Sequence, residues 1–327
     1  MGISRWRRTA LSLCGALAIA LAASGCSNSG KPDQPTGSSK TVAASVAPIA
    51  DVVEKVAGGE VKVVALVPPG VDSHTFEPSP ETARTLANAD VAFFNGLGLE
   101  EPTIQMARKN MVSGSTTVML GEETITPDAY VYDFSFPRSE GKPNPHLWMN
   151  PILTLKYAKI VSDTLSKRYP ESASAFKANY DRFATQIAGL DQAIFAATST
   201  IPMDQRKLLT YHDSFAYFAP RYGMTVIGAA ELSNFQEPSA AEIAALIEQV
   251  RSSGVRAIFG SEVFPSRVLE QVARETGAQY IDKLSDDELP GEPGDKRHSY
   301  IGMMVENVET MTVALGGSGE ALQSVPT

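Results

Sequence analysis

The sequence predicts an α/β protein made of two halves, each a parallel sheet flanked by helices, joined by one long helix. Three observations carry the prediction. Short β-branched runs alternate with helix-patterned stretches, the order that builds parallel strands with crossover helices. From Glu171 to Thr198 the chain carries no proline, and Ala175, Phe176, Tyr180, Phe183, Ile187, Leu190 and Ile194 recur at helical spacing. About 28 residues at 1.5 Å each make a rod of roughly 40 Å, the breadth of a small domain. Beyond Ile201 the strand–helix alternation resumes.

In chain order, Lys40–Ser45 starts a short strand, and Pro48–Ala57 reads as a helix closed by Gly58-Gly59. Val61–Val67 is nearly all β-branched, the pattern of a strand buried on both faces. Pro80–Asn88 is a helix, with Ser79 as N-cap and Pro80 in the first helical position. Asp90–Asn95 is a second buried-type strand, Glu100–Asn110 a helix and Thr116–Leu120 a strand. Gly121–Asn144 has no period and is polar and aromatic, so a loop that lies over something is expected. Helices follow at Ile152–Tyr169 and in the proline-free stretch. The second half gives strands at Lys207–Tyr211, Met224–Ala229, Val255–Phe259 and Ala278–Ile281, the last ending at Asp282. Its helices are a capped one from Ser239 to Arg251, Pro265–Thr276 closed by Gly277, and Tyr300–Leu315. Lys283–Ser299 is a polar Gly/Pro loop.

The composition, 43% apolar and 20% charged over 327 residues, suits a soluble globular chain with room for two cores. Arg5, Arg7 and Arg8 precede an apolar run from Ala10 to Ala23, and Ala23-Ser24-Gly25 leads into Cys26. This is the layout of a lipoprotein signal peptide over residues 1–25, with Cys26 lipidated and 26–40 a flexible tether. The expected organisation is then a first lobe at 41–170, a linker helix at 171–199 and a second lobe at 200–327. The formal charge of −9 becomes −12 without the three leader arginines, which argues against nucleic acid and against an anionic membrane face as partner. The lipid would be the only hold on the membrane. Cys14 leaves with the leader, so the remaining fold has neither a disulfide nor a thiolate metal site.

The chemistry centres on Asn144-Pro145-His146-Leu147-Trp148-Met149-Asn150-Pro151, where two prolines restrict the backbone around a histidine at a helix mouth. His74 and His212 each follow a strand, and Asp282 ends one. Ligands of open α/β folds bind at the carboxyl ends of strands, so two facing halves would bring these four side chains to one cleft. Three imidazoles and a carboxylate suit Zn²⁺, with Mn²⁺ and Fe²⁺ the alternatives.

Gly70-Val71-Asp72-Ser73-His74-Thr75-Phe76-Glu77-Pro78-Ser79-Pro80 and Asn144–Pro151 resemble the two signature segments of the zinc/manganese class of substrate-binding proteins of ABC importers. The similarity continues through Tyr211–Phe218, Ala278–Asp282 and Gly294–Met304, nearly the whole chain after the tether. The resemblance implies two Rossmann-like lobes of four strands joined by one long helix, a metal in the interlobe cleft, and delivery to a permease with its ATPase. It implies His74, His146, His212 and Asp282 as ligands, and a histidine in the third place favours zinc over manganese. It also implies a monomer, in some cases served by a metallochaperone. Two departures stand out: Gly121–Asn144 has no histidine, unlike the metal-collecting loop of zinc-uptake members, and Asn144 stands where aspartate is usual.

Other residues read more plainly. His298 is expected at the surface or capping a helix, Asp286-Asp287-Glu288 as a solvated acidic turn, and Glu262 as a partner orienting a ligand histidine. A zinc hydrolase is disfavoured because Asp282 would close the shell and no His-Glu-x-x-His occurs; a surface adhesin is the remaining rival. Binding needs neutral imidazoles, so affinity is expected to fall through pH 6.5 or thereabouts. With a rigid strut, opening is expected to be a small lobe tilt with movement of 121–144 and 283–299.

Overall fold

A computed structural model describes residues 40–230, 238–261 and 266–327. In the first half, strands β1 (Thr41–Ala44), β2 (Lys62–Ala65), β3 (Val91–Phe94) and β4 (Thr116–Met119) form one all-parallel sheet in the order β2-β1-β3-β4. Helices α1 (Ala47–Ala57), α2 (Pro80–Ala87) and α3 (Glu101–Asn110) make the crossovers, and a single turn α4 (Leu120–Thr124) leaves β4. Side chains alternate across the sheet. Val42, Ala44, Val91 and Phe93 join the main core, whereas Ala43, Ala92 and Phe94 pack with Leu86, Ile104 and Ala107 beneath α2 and α3. Both faces are therefore covered, as a parallel sheet requires.

One expectation fails here. β2 is half-exposed, with Lys62 and Ala65 open to solvent, because it is the sheet's edge strand and has a neighbour on one side only.

Helix α5 (Pro151–Arg168) leads through a tight turn at Pro170–Ser172 into α6 (Ala173–Ser199), the long helix the sequence predicts. Its buried stripe is Phe176, Phe183, Ile187, Leu190, Ile194 and Ala197. Near its start Asn179 Nδ2 donates to the Val56 carbonyl at 3.1 Å, a bond to the first half. Further along, Asp191 accepts from Arg221 at 2.7 and 2.6 Å and from the Tyr222 hydroxyl at 2.7 Å, bonds to the second. One helix thus holds both halves.

The second half has β5 (Lys207–Thr210) parallel to β6 (Thr225–Ala229), and β7 (Ala257–Ser261) parallel to β8 (Gln279–Leu284), with β5 beside β7. Helices α7 (Ala240–Ser253) and α8 (Arg267–Thr276) flank them, and α9 (Tyr300–Ala314) packs against both α6 and α1. Ser239 caps α7 in a reciprocal box with Glu242. The carboxyl ends of β2 and β5 open towards the loops that carry His74 and His212. Among the described residues no helix is long and apolar enough to cross a membrane.

Candidate metal centre

Each histidine is held by its own backbone neighbourhood. After β2, Asp72 accepts the His74 N–H at 2.8 Å and the Thr75 hydroxyl at 2.7 Å, a local turn that fixes where the imidazole leaves the chain. Asn144 accepts the His146 N–H at 2.9 Å, and Asn150, the N-cap of α5, accepts from the Ile152 N–H at 3.0 Å. His146 is thereby pinned just ahead of the helix. After β5, Thr210 Oγ1 donates to the His212 carbonyl at 2.8 Å.

The three rings converge through their Nε2 atoms. His146 Nε2 lies 3.2 Å from His74 Nε2 and 3.1 Å from His212 Nε2, and the ring centroids are 4.9 to 5.2 Å apart. A fourth donor completes the cluster: Asp287 lies 3.7 Å from His74 Nε2 and 3.8 Å from His146 Nε2. One donor atom from each of the four residues fits within 4.8 Å of all the others. A tetrahedral zinc with bonds near 2.0–2.1 Å sets its ligand atoms about 3.3 Å apart. The nitrogen spacing is close to that.

Burial gives the cluster its electrostatics. His146 is fully buried, and His74, His212 and Asp287 side chains are at most 7% exposed. Burial, and then the charge of neighbouring imidazoles, pushes His74 and His146 well below the usual histidine range, so both are neutral at pH 7. The Asp287 carboxyl moves the other way, up to about 7, because it is buried and faces Asp286. Its Oδ2 accepts from the Ser73 hydroxyl at 2.7 Å, but its buried Oδ1 has no hydrogen-bond partner. Three imidazoles, those of His74 and His146 held neutral, around a carboxylate oxygen without a hydrogen-bond partner are a donor set that a divalent cation fits.

Asp282 is not part of this group. The sequence reading ended the last strand at Ile281, but β8 runs on to Leu284, so Asp282 sits inside the strand and is exposed. The carboxylate that reaches the histidines comes five residues later, from the Asp286-Asp287 segment expected to be a solvated turn. Both aspartates are buried, at 4% and 7% exposure. Trp148 Nε1 donates to the Asp286 carbonyl at 2.7 Å, and Asn307 holds Ser285 through its backbone N–H and carbonyl, so the segment turns inward. The Asp286 carboxylate lies 3.4 Å from His212 Nε2. Cys26 and Glu262 lie outside the described residues. His298 is half-buried with Nδ1 3.2 Å from the Pro290 carbonyl, at the margin of a cleft of about 510 Å³ that also touches Asp287.

The 121–144 loop does lie over the centre. Phe136 packs 5.6 Å from the His74 and His146 rings, and Trp148 closes the other side of His146 at 5.0 Å. Tyr217 ties loop to second half, accepting from the Val131 N–H at 3.1 Å and donating to the Asn144 carbonyl at 3.2 Å. Asp133 and Ser135, unremarked in the sequence, join this packing: Ser135 Oγ accepts the Asp213 N–H at 3.1 Å.

Residues 42–314 match the family model described as "Zinc-uptake complex component A periplasmic". The chain is 28% identical over 299 residues to the manganese-binding lipoprotein MntA of Halalkalibacterium halodurans, covering 91% of this chain and 96% of that one. It is 29% identical over 291 residues to the zinc-binding protein TroA of Treponema pallidum, covering 88% and 92%. The solved structure of the periplasmic TroA superposes with a TM-score of 0.77 at 28% identity, over 84% of this chain and 99% of that one. The two-lobe α/β fold expected from the sequence is therefore the fold found.

Proposed function

The chain belongs to the periplasmic zinc-uptake component A family, and on that premise we propose that it captures Zn²⁺ between its lobes and delivers it to the permease of an ABC importer. Relatives of this kind are substrate-binding proteins of transporters, and this chain is read the same way, as a receptor and not an enzyme. The observation that carries the metal reading is the convergence of three Nε2 atoms on the unpartnered Asp287 Oδ1. His74 and His146 come from the first half, and His212 and Asp287 from the second. An ion held by all four would tie the lobes together, with 41–170 and 200–327 as lobes and 171–199 as the strut. Asp287 fills the position a hydrolytic zinc would leave to water, which disfavours a hydrolase.

Cys26 as a lipid-bearing first residue would keep the receptor on the outer face of the cell membrane, in reach of its permease; relatives in the comparison are named lipoproteins. A manganese reading stands beside zinc on one specific observation. The Asp286 carboxylate, 3.4 Å from His212 Nε2, could add a second oxygen donor and harden the site.

The test is elemental analysis and competitive Zn²⁺/Mn²⁺ titration of residues 27–327, beside His146→Ala and His212→Ala. One zinc per chain, bound far more tightly than manganese and weakened by either substitution, supports the reading. Preference for manganese overturns the metal, and binding indifferent to both histidines overturns the site.

A further inference from the structure

Asn144 is fully buried, and both ends of its side-chain amide are engaged. Oδ1 sits 2.9 Å from the His146 backbone nitrogen and 2.9 Å from His146 Nδ1. Nδ2 sits 2.7 Å from Asp133 Oδ2 and also contacts the Asp213 carbonyl oxygen. The identity of these neighbours fixes the amide's direction without any assumption about hydrogens. A backbone N–H can only donate, and a backbone carbonyl can only accept. The end facing His146 must therefore be the amide oxygen, and the end facing Asp213 and Asp133 must be the NH₂. Turned the other way, the amide would set oxygen against oxygen on one side and N–H against N–H on the other. In a buried site each unmade bond costs about 1–3 kcal/mol.

With the amide direction fixed, His146 has one choice. Its Nδ1 faces an acceptor and so must carry the proton, which leaves the Nε2 lone pair directed at His74 and His212. We infer that Asn144 locks the His146 imidazole in the Nδ1–H tautomer that a metal requires, and that Asp133 in the covering loop is part of the lock. Asp133 is itself oriented by the Ser135 and Phe136 N–H groups, which its Oδ1 accepts at 3.2 and 3.0 Å. Asn144 and Asp133 are positioning residues; neither reaches the cluster of Nε2 atoms. The inference deepens the metal-receptor reading and rests on it.

The lock also explains why asparagine is the fitting residue at 144 in this chain. An aspartate at 144 would place a carboxylate against both Asp133 and the Asp213 carbonyl, with no hydrogen to share. Ionised, it would have to turn away from that side and lose the acceptor for Nδ1–H; only by taking a proton, donated towards Asp133 or the Asp213 carbonyl, could it stand in for the amide, so the effect is largest at high pH. Exchanging the pair, Asp133→Asn with Asn144→Asp, restores a donor at 133 facing an acceptor at 144.

The experiment is ¹⁵N NMR of the histidine rings in the metal-free chain, with zinc titrations of Asn144→Asp, Asp133→Asn and the double exchange, each checked for folding by thermal melt. The expected wild-type spectrum shows the His146 ring protonated at Nδ1 alone. At pH 8, where the new carboxyl is ionised, Asn144→Asp is expected to lose about 10- to 100-fold in zinc affinity, the usual weight of a residue that orients a metal-binding histidine. The double exchange, which repairs the 133 side but leaves the Asp213 carbonyl without a donor, is expected to regain part of that loss. A wild-type ring protonated at Nε2, or a folded Asn144→Asp that binds zinc unchanged, overturns the inference. So does a double exchange no better than the single. Failure of the receptor reading looks different: the tautomer spectrum stands while His146→Ala leaves zinc binding intact.

Discussion

Replacing Asp287 by asparagine should move stability and metal affinity in opposite directions. The carboxyl is buried and titrates at about 7, against 3.8 in an exposed chain. Its folded value is raised, so the group favours the folded state below about pH 4, and that contribution is lost as pH rises towards 7. At pH 8 the ionised, metal-free protein carries a penalty of up to about 4 kcal/mol from this one group, at 1.36 kcal/mol per pH unit. Asparagine keeps the shape and an acceptor for the Ser73 hydroxyl without the charge. Metal-free Asp287→Asn should therefore melt higher than wild type at pH 8, with the gap narrowed to less than half by pH 5 and closed below about pH 4. In the same variant zinc affinity should fall by at least the 10- to 100-fold seen when a mere outer partner is lost, because a direct anionic donor is gone. Asp282→Asn, at an exposed position in β8, should change neither. Calorimetric melts at the two pH values and competitive zinc titration read both quantities. A loss of affinity in Asp282→Asn with none in Asp287→Asn would refute the assignment of the fourth donor.

Between pH 8 and pH 6 apparent zinc affinity should drop about tenfold, since zinc must displace the proton that Asp287 holds below about 7, while His74 and His146 stay neutral over that range. Titration calorimetry in buffers of different ionisation enthalpy would show the released proton, and a profile flat to pH 6 would exclude it. Stripping zinc by chelation should lower the melting temperature by several degrees, because ligand at 100 times its dissociation constant stabilises by about 2.7 kcal/mol. An unshifted melt would mean the ion is not bound to the folded state. Gly302→Ala should destabilise by about 1–3 kcal/mol, because a Cβ there would lie 2.2 Å from the Arg297 carbonyl oxygen at the end of the loop that carries Asp287. Urea unfolding measures it, and a neutral result would show that the loop yields freely.

The architecture was legible because each element announces itself locally. The Ser79 and Ser239 caps, the glycine stops after α1 and α8, and the uninterrupted stripe of α6 are all short-range signals, and each is where the sequence places it. The three histidines were legible for a related reason: they are few, and each stands beside a strand end or helix mouth. The carboxylate that joins them was not. Whether Asp282 or Asp287 faces the cleft depends on where β8 stops, and that is decided by long-range contacts, Trp148 to the Asp286 carbonyl and Asn307 to Ser285. An Asp-Asp-Glu run has the composition of a solvated turn, and only those bonds draw it inside. The exposure of β2 escaped for a similar reason, since a β-branched run does not say whether its strand has one neighbour or two.

The placement of Asp287 also bears on how such a receptor could signal that it is loaded. Without an ion, closing the cleft buries a carboxylate whose Oδ1 finds no partner, beside a second buried aspartate. Uncompensated buried charge is among the costliest arrangements a protein can hold. With a dication present, the same oxygen would gain the strongest partner available, and the converging imidazole nitrogens would turn from facing one another to facing the ion. On the proposed reading, donors from both halves would make closure unfavourable when empty and favourable when full. The rigid strut α6 need not bend for this difference to appear. It can be taken up by the 121–144 and 285–299 segments, which meet the centre through Phe136 and Asp287. A partner that recognises those two segments would read the cargo without touching it.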